Sequence, residues 1–233
     1  MTQTQVLWLL VLLAVASGTN SLSMMRQSSA SEDFAIAIGT TAISNGTSAI
    51  GIGKSVVAQG TRAIAIGATT TTDTEYDATA NTQATGNDAI AFGTSARATK
   101  NDTIAIGQGA TANIENSIAL GKSSTTTARS TVTKPTFKDD SGTDVTYNFD
   151  DNKAVVGVVS VGSDNGLRQI QYVATGNVSA TSTDAINGSQ LYLAVAYSGF
   201  NIKQNGAVAP ISRVNNNNYV DFANGTYTTA RGY

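Results

Sequence analysis

The sequence predicts an all-β protein: a narrow parallel β-roll solenoid of 14-residue repeats that associates with copies of itself. A β insertion and a short helix follow. Three observations carry this reading. Six phrases, AIAIG, AIGIG, AIAIG, AIAFG, TIAIG and SIALG, close at Gly39, Gly53, Gly67, Gly93, Gly107 and Gly121, in steps of 14, 14, 26, 14 and 14 residues. A fixed period of this kind marks a solenoid. Inside each phrase bulky and small residues alternate, as side chains do on the two faces of a strand. The composition fits too: 13% of residues are charged, and much of the 41% apolar share is alanine, so bulky core material is scarce.

The segments follow in chain order. Residues 1–23 are signal-like: an apolar run from Val6 to Ala16 with an A-x-A cleavage pattern at Ala14-Val15-Ala16, though no Lys or Arg precedes it. The run is too short to span a bilayer as a helix. Residues 24–33 read as a linker, and residues 34–128 as the roll. Its long step of 26 is one repeat plus twelve extra residues, ATTTTDTEYDAT, Ala68 to Thr79. Gly46, Gly60 and Gly86 stand seven residues before a closing glycine, so each repeat divides into two strands and two tight turns. Glycine suits turns that need φ > 0 or close backbone approach.

One strand face takes Ile36 and Ile38, Ile50 and Ile52, Ile64 and Ile66, Ile90 and Phe92, Ile104 and Ile106, Ile118 and Leu120; the other takes alanine, glycine and serine. Both faces are dry, yet a two-stranded coil has room inside for only one of them. An exposed ladder of twelve large apolar side chains would aggregate. The simplest cover is the same ladder on identical chains around a symmetry axis.

Residues 129–166 are a β-rich insertion. TFKDDSGTDVTYNF reads as a hairpin turning at Asp-Asp-Ser-Gly, and KAVVGVVSVG as a buried strand. Residues 167–198 carry a short helix from about Ala185 capped by Ser182, Thr183 or Asp184. Residues 199–233 are β-prone, the start of a further module.

At this point the residues resemble a family. The AIAIG repeats are similar to the heads of trimeric autotransporter adhesins, the YadA-like surface proteins of Gram-negative bacteria. RQIQYVATGNVSATSTDAINGSQLY, Arg168 to Tyr192, resembles their neck, and Lys134 to Gly166 the insertion between head and neck. The resemblance implies a left-handed parallel β-roll, three chains side by side, and attachment to host matrix or cells. It implies neck residues Asp184, Ala185, Ile186, Asn187, Gly188, Ser189, Gln190 and Leu191, with Asp184, Asn187, Ser189 and Gln190 linking chains through hydrogen bonds. NSIALGKSS is close to a family motif associated with collagen binding. That makes Asn116, Ser117, Ile118, Ala119, Leu120, Gly121 and Ser124 candidate ligand residues. The family's long coiled-coil stalk and membrane anchor are not recognisable in this chain.

Other functions are disfavoured. No histidine occurs, so triads that use one are excluded and the commonest metal ligand is missing. No cysteine occurs either, so stiffness must come from elsewhere than disulfides. With a net charge of −2 there is no basic footprint for nucleic acid. Asp139, Asp140, Asp144, Asp150 and Asp151 match no calcium-loop spacing and suit hairpin turns better. The expectation is an exported, non-catalytic surface adhesin head without cofactor or metal. The alternatives are an ice-binding β-solenoid, which needs regular Thr ranks, and a phage fibre or spike, whose glycosidase form needs paired acids. The varied turns and the lack of a recurring acid pair argue against both.

Overall fold

In a computed structural model of the chain, the residues described are 13–70, 80–128, 136–138, 143–146, 155–179, 181–197, 201–204, 207–209 and 227–230. They divide into two units, Met1–Thr146 with Asp151–Gln169, and Tyr147–Asp150 with Ile170–Tyr233. The first unit holds the roll.

Each coil supplies a short strand and a longer one. In order they are β1 (Val15–Ala16), β2 (Leu22–Met24), β3 (Ser29–Ala30), β4 (Ile36–Ile38), β5 (Ile43–Ser44), β6 (Ile50–Ile52), β7 (Val57–Ala58), β8 (Ile64–Ile66), β9 (Gln83–Ala84), β10 (Ile90–Phe92), β11 (Arg97–Ala98), β12 (Ile104–Ile106), β13 (Thr111–Ala112) and β14 (Ile118–Leu120). Then come β15 (Thr136–Lys138) and β16 (Asp144–Thr146), an antiparallel hairpin pairing Phe137 with Val145, and β17 (Val159–Ser160). The short strands stack as a seven-stranded parallel sheet, β1-β3-β5-β7-β9-β11-β13. The long ones form an eight-stranded sheet, β17-β14-β12-β10-β8-β6-β4-β2.

Register runs straight through the long step. Val57 pairs with Gln83 and Ile64 with Ile90, so both ladders keep their register across the twelve extra residues. Thr82 stitches the break. Its hydroxyl accepts the N–H groups of Ala68 and Ser95, each at 3.1 Å, and lies within donating distance of the Ala68 and Gly93 carbonyls.

The structure assigns the faces that sequence left open. Ala35, Ala37, Ala63, Ala65, Ala89, Ala91, Ala105 and Ala119 are fully buried, so the small residues line the interior and the bulky ones point outward. The interior is narrow enough for size to be matched coil by coil. Ser44 stands where other short strands carry alanine, and its hydroxyl would lie 2.7 Å from a Cβ on Gly51. The same hydroxyl donates to the Ile36 carbonyl at 2.6 Å.

The turns also differ from expectation. On either side of the long step left-handed residues recur every seven positions, from Asn20, Gln27, Phe34, Thr41 and Ser48 to Asp102, Gly109, Asn116 and Ser123, with φ between 55° and 65°. Serine, threonine and the Asx residues fill most of them, consistent with short polar side chains that tolerate this region. Glycine has a second task. At Gly53, φ is 125° and an added Cβ would sit 1.7 Å from the Gly67 carbonyl oxygen, so each closing glycine lets the next coil approach.

Two boundaries move. The roll begins at Val15, not at residue 34: residues read as the end of a signal-like segment and a linker form β1, β2 and β3. Leu22 and Met24 still point outward around Ser23, but Met25 (φ 87°) replaces the closing glycine and hides the phrase. The KAVVGVVSVG strand shrinks to β17, and Val155, Val156 and Val159 are exposed instead of buried.

In the second unit, helix α1 spans Gly188–Tyr197. It begins three residues later than expected, because the cap is Asn187. Asn187 Oδ1 accepts the Gln190 N–H and Gln190 Oε1 accepts the Asn187 N–H, both at 3.2 Å, a reciprocal capping box. β18 (Asn201–Gln204), β19 (Ala207–Ala209) and β20 (Tyr227–Ala230) form a three-stranded antiparallel sheet with β18 central. The Asp-Asp-Ser-Gly turn and residues 71–79 lie outside the described residues.

Candidate functional site

The long strands place one apolar pair per coil on the outer face of the eight-stranded sheet. Stacked in register about 4.8 Å apart, the pairs run from Leu22 and Met24 to Ile118 and Leu120. Leu22 (43%), Met24 (48%), Ile52 (36%), Phe92 (53%), Ile106 (37%) and Leu120 (45%) are exposed in the single chain. Fully burying such a side chain contributes about 1.5–3 kcal/mol, so covering what these six leave open would add about 4–8 kcal/mol per chain. A continuous apolar face of this kind marks an interaction surface.

The turns beside the ladder are polar and held by side chains that repeat from coil to coil. Asp33 Oδ1 accepts the Thr19 N–H at 2.7 Å, Asn87 Oδ1 the Thr61 N–H at 3.0 Å, and Asn101 Oδ1 the Asn87 N–H at 3.0 Å. Arg62 grips Asp88 with two bonds of 2.6 Å. That pairing raises the Arg62 pKa and lowers that of Asp88, through the hydrogen bonds first. Both groups face water, so the pair adds little to stability. No group of three or more potential metal-ligating side chains exists among the described residues.

The NSIALGKSS segment forms the last coil, and the structure divides its candidate residues. Asn116 and Leu120 are exposed and Ile118 is half-buried. Ser117, Ala119 and Ser124 are buried. The Ser117 hydroxyl accepts the Val158 N–H at 3.0 Å, while β17 pairs with β14. Gly121 lies under the guanidinium of Arg168. In the single chain Asn116 and Leu120, with the edge of Ile118, are thus the candidates that reach the surface. The other four hold the end of the roll together.

The neck residues are brought together within one chain. Gln190 Nε2 donates to the Gly176 carbonyl at 2.7 Å while its Oε1 accepts the Gly176 N–H at 3.0 Å. Asn187 Nδ2 donates to the Val173 carbonyl at 3.1 Å, Asp184 Oδ2 accepts the Asn177 N–H at 2.9 Å, and Ser189 Oγ donates to Asn187 Oδ1 at 2.7 Å. Within the single chain Gln190, Asn187 and Asp184 tie residues 173–177 to the start of α1, and Ser189 supports Asn187. Ala185, Ile186, Asn187 and Gly188 line a hollow with Ile170 and Tyr172. Ile186 and Leu191 are exposed, as are Leu167, Ile170, Tyr172, Val178 and Tyr192.

Arg168 is the residue that sequence reasoning missed. It opens the neck string, yet its partners Lys122 and Ser124 lie 46 and 44 residues away, where no local pattern reaches.

Residues 16–42, 58–80, 76–96, 84–110 and 98–124 match the family described as YadA head domain repeat (2 copies). No curated protein matches the chain in sequence. Among solved structures, the C-terminal YadA-like domain of a Burkholderia pseudomallei protein is 36% identical, over 47% of this chain and 47% of that one, with a TM-score of 0.35. This chain thus spans about half the length of that domain. The collagen-binding domain of the Yersinia adhesin YadA is 20% identical over 78% of this chain and 86% of that one, with a TM-score of 0.46.

Proposed function

We propose, from a roll whose residues match YadA head repeats, that this chain is the head and neck of a homotrimeric, non-catalytic adhesin exported to the surface of a Gram-negative bacterium. The observation that carries the reading is the outward apolar ladder on those repeats, left open by the chain's own fold. Three ladders around one axis would cover each other, and a threefold ring closes without leaving an unpaired face. The exposed Leu167, Ile170, Tyr172 and Val178 of the neck call for the same cover.

The working surface is then the turns and the short-strand sheet, which face away from such an axis. Each coil offers a few polar atoms, so contacts with a partner are individually weak and add along the stack and across three chains through effective concentration. A long, repetitive partner such as an extracellular matrix fibre suits this arrangement. Collagen is the probe to use first, given the NSIALGKSS resemblance. Surface plasmon resonance on immobilised collagen and other matrix proteins tests it, with coils removed in multiples of 14 residues. Stepwise weakening with each coil supports the reading. Complete loss on Asn116→Ala, with assembly intact, would replace the distributed surface with a discrete site. Absence of binding to every matrix protein and cell surface tried would refute the adhesin role.

A further inference from the structure

A solenoid has to stop, and its last coil leaves groups that earlier coils satisfy with their successors. In this roll the carbonyl of the residue after the closing position accepts an N–H from the next coil. Thr41 donates to Arg26, Ser55 to Thr40, Gly109 to Thr94 and Ser123 to Gln108, all at 2.8–2.9 Å. Lys122 holds that position in the last coil. Its carbonyl accepts from Arg168 Nη2 at 2.6 Å.

A second substitution coincides with the first. Each closing glycine packs against the next: an added Cβ on Gly107 would meet the Gly121 carbonyl carbon at 2.5 Å. At Gly121 the same test meets Arg168 Cζ and Nε, both at 3.1 Å. The guanidinium thus lies where the next glycine's peptide group would lie. Arg168 Nη1 also donates to the Val161 carbonyl at 2.6 Å and the Ser124 hydroxyl at 3.1 Å. Alongside, Thr125 donates to Gly162 and Ile118 to Val158, which secures β17 on the edge.

We propose that Arg168 ends the roll by imitating the peptide of a further coil. A guanidinium suits the task, since it is planar, always charged, and presents several donors in a fixed fork. Lysine offers a point charge with no plane to lay on Gly121. Every contact in the proposal lies within one chain, so it stands apart from how many copies assemble.

Hydrogen exchange on the 233-residue chain tests it, comparing Arg168→Ala and Arg168→Lys with the parent. Losing charge-assisted bonds from the cap should speed exchange of the Ile118 and Thr125 amides at least about tenfold. Amides of Ile36 to Ile66 should keep parent rates, and lysine should recover only part of the loss. Unchanged protection in the alanine variant would overturn the proposal. Full recovery by lysine would overturn it too, because charge alone would then suffice. Loss spread evenly over all seven coils would equally contradict a cap that acts locally.

Discussion

Ile64 and Ile66 stand in the middle of the ladder, and replacing both with aspartate separates folding from assembly. Each side chain is half-buried in the single chain, and the residue between them, Ala65, is fully buried. Half of the usual burial term is then lost at each site, about 2–3 kcal/mol for the pair. The carboxylates still reach water in a lone roll, so no further penalty falls on the chain itself. In a trimer the same substitution places six unpaired carboxylates against apolar neighbours. At about 3 kcal/mol each the total is on the order of 18 kcal/mol. Per chain that is about 6 kcal/mol, of the same size as the ladder's drive of about 4–8 kcal/mol. The double variant should therefore keep β-sheet circular dichroism while losing its assembled mass in analytical ultracentrifugation. Lowering the pH through the ordinary aspartate range should neutralise the new groups and restore part of the association. A variant that assembles and melts like the parent would refute the placement of these side chains in a buried contact.

Other expectations follow from single contacts. Thr82→Val keeps the shape of a fully buried residue but removes the acceptor of the Ala68 N–H, while Ser95 N–H keeps the Ala68 carbonyl and the Gly93 carbonyl keeps the Ala96 N–H. Denaturant melts should read a loss of about 1–3 kcal/mol, and an unchanged midpoint would mean the Ala68 N–H is satisfied otherwise. Deleting Ala68 to Thr79 restores a step of 14 residues between Gly67 and Gly93. The roll should stay folded and cooperative, and collapse of its β signal would make the twelve residues structural. Gln190→Ala removes three hydrogen bonds that join the Asn187 cap to Gly176. The neck should weaken by about 1–3 kcal/mol, read as faster exchange at Asn187 and Gly176 with the coils unaffected.

The roll was legible because its residues repeat a physical constraint. Ala-Ile-Ala-Ile-Gly encodes a narrow interior, an outward ladder and a close approach between coils. The first coil escaped because Leu22-Ser23-Met24 meets the same constraint in other letters, with Met25 in the glycine's place. The assignment of faces needed coordinates, since alternation shows that two faces differ and not which one turns inward. The left-handed position recurring every seven residues was hidden by its occupants. Serine, threonine, asparagine and aspartate are common in any turn. In the neck, Asn187-Gly188-Ser189-Gln190 spells a capping box, but three equally good caps precede it at Ser182, Thr183 and Asp184. Asp184 is used elsewhere, accepting from Asn177. Which residues of NSIALGKSS face solvent depends on β17 and Arg168, which arrive from more than 35 residues away.

The central claim is that the ladder is the contact face between copies, and the mass of the assembled species in solution tests it most directly. Light scattering coupled to size exclusion on the full chain should give three times 23.9 kDa, about 72 kDa. That mass should hold on dilution into the nanomolar range. A folded, stable species at the single-chain mass, with its apolar ladder in water, would contradict the account.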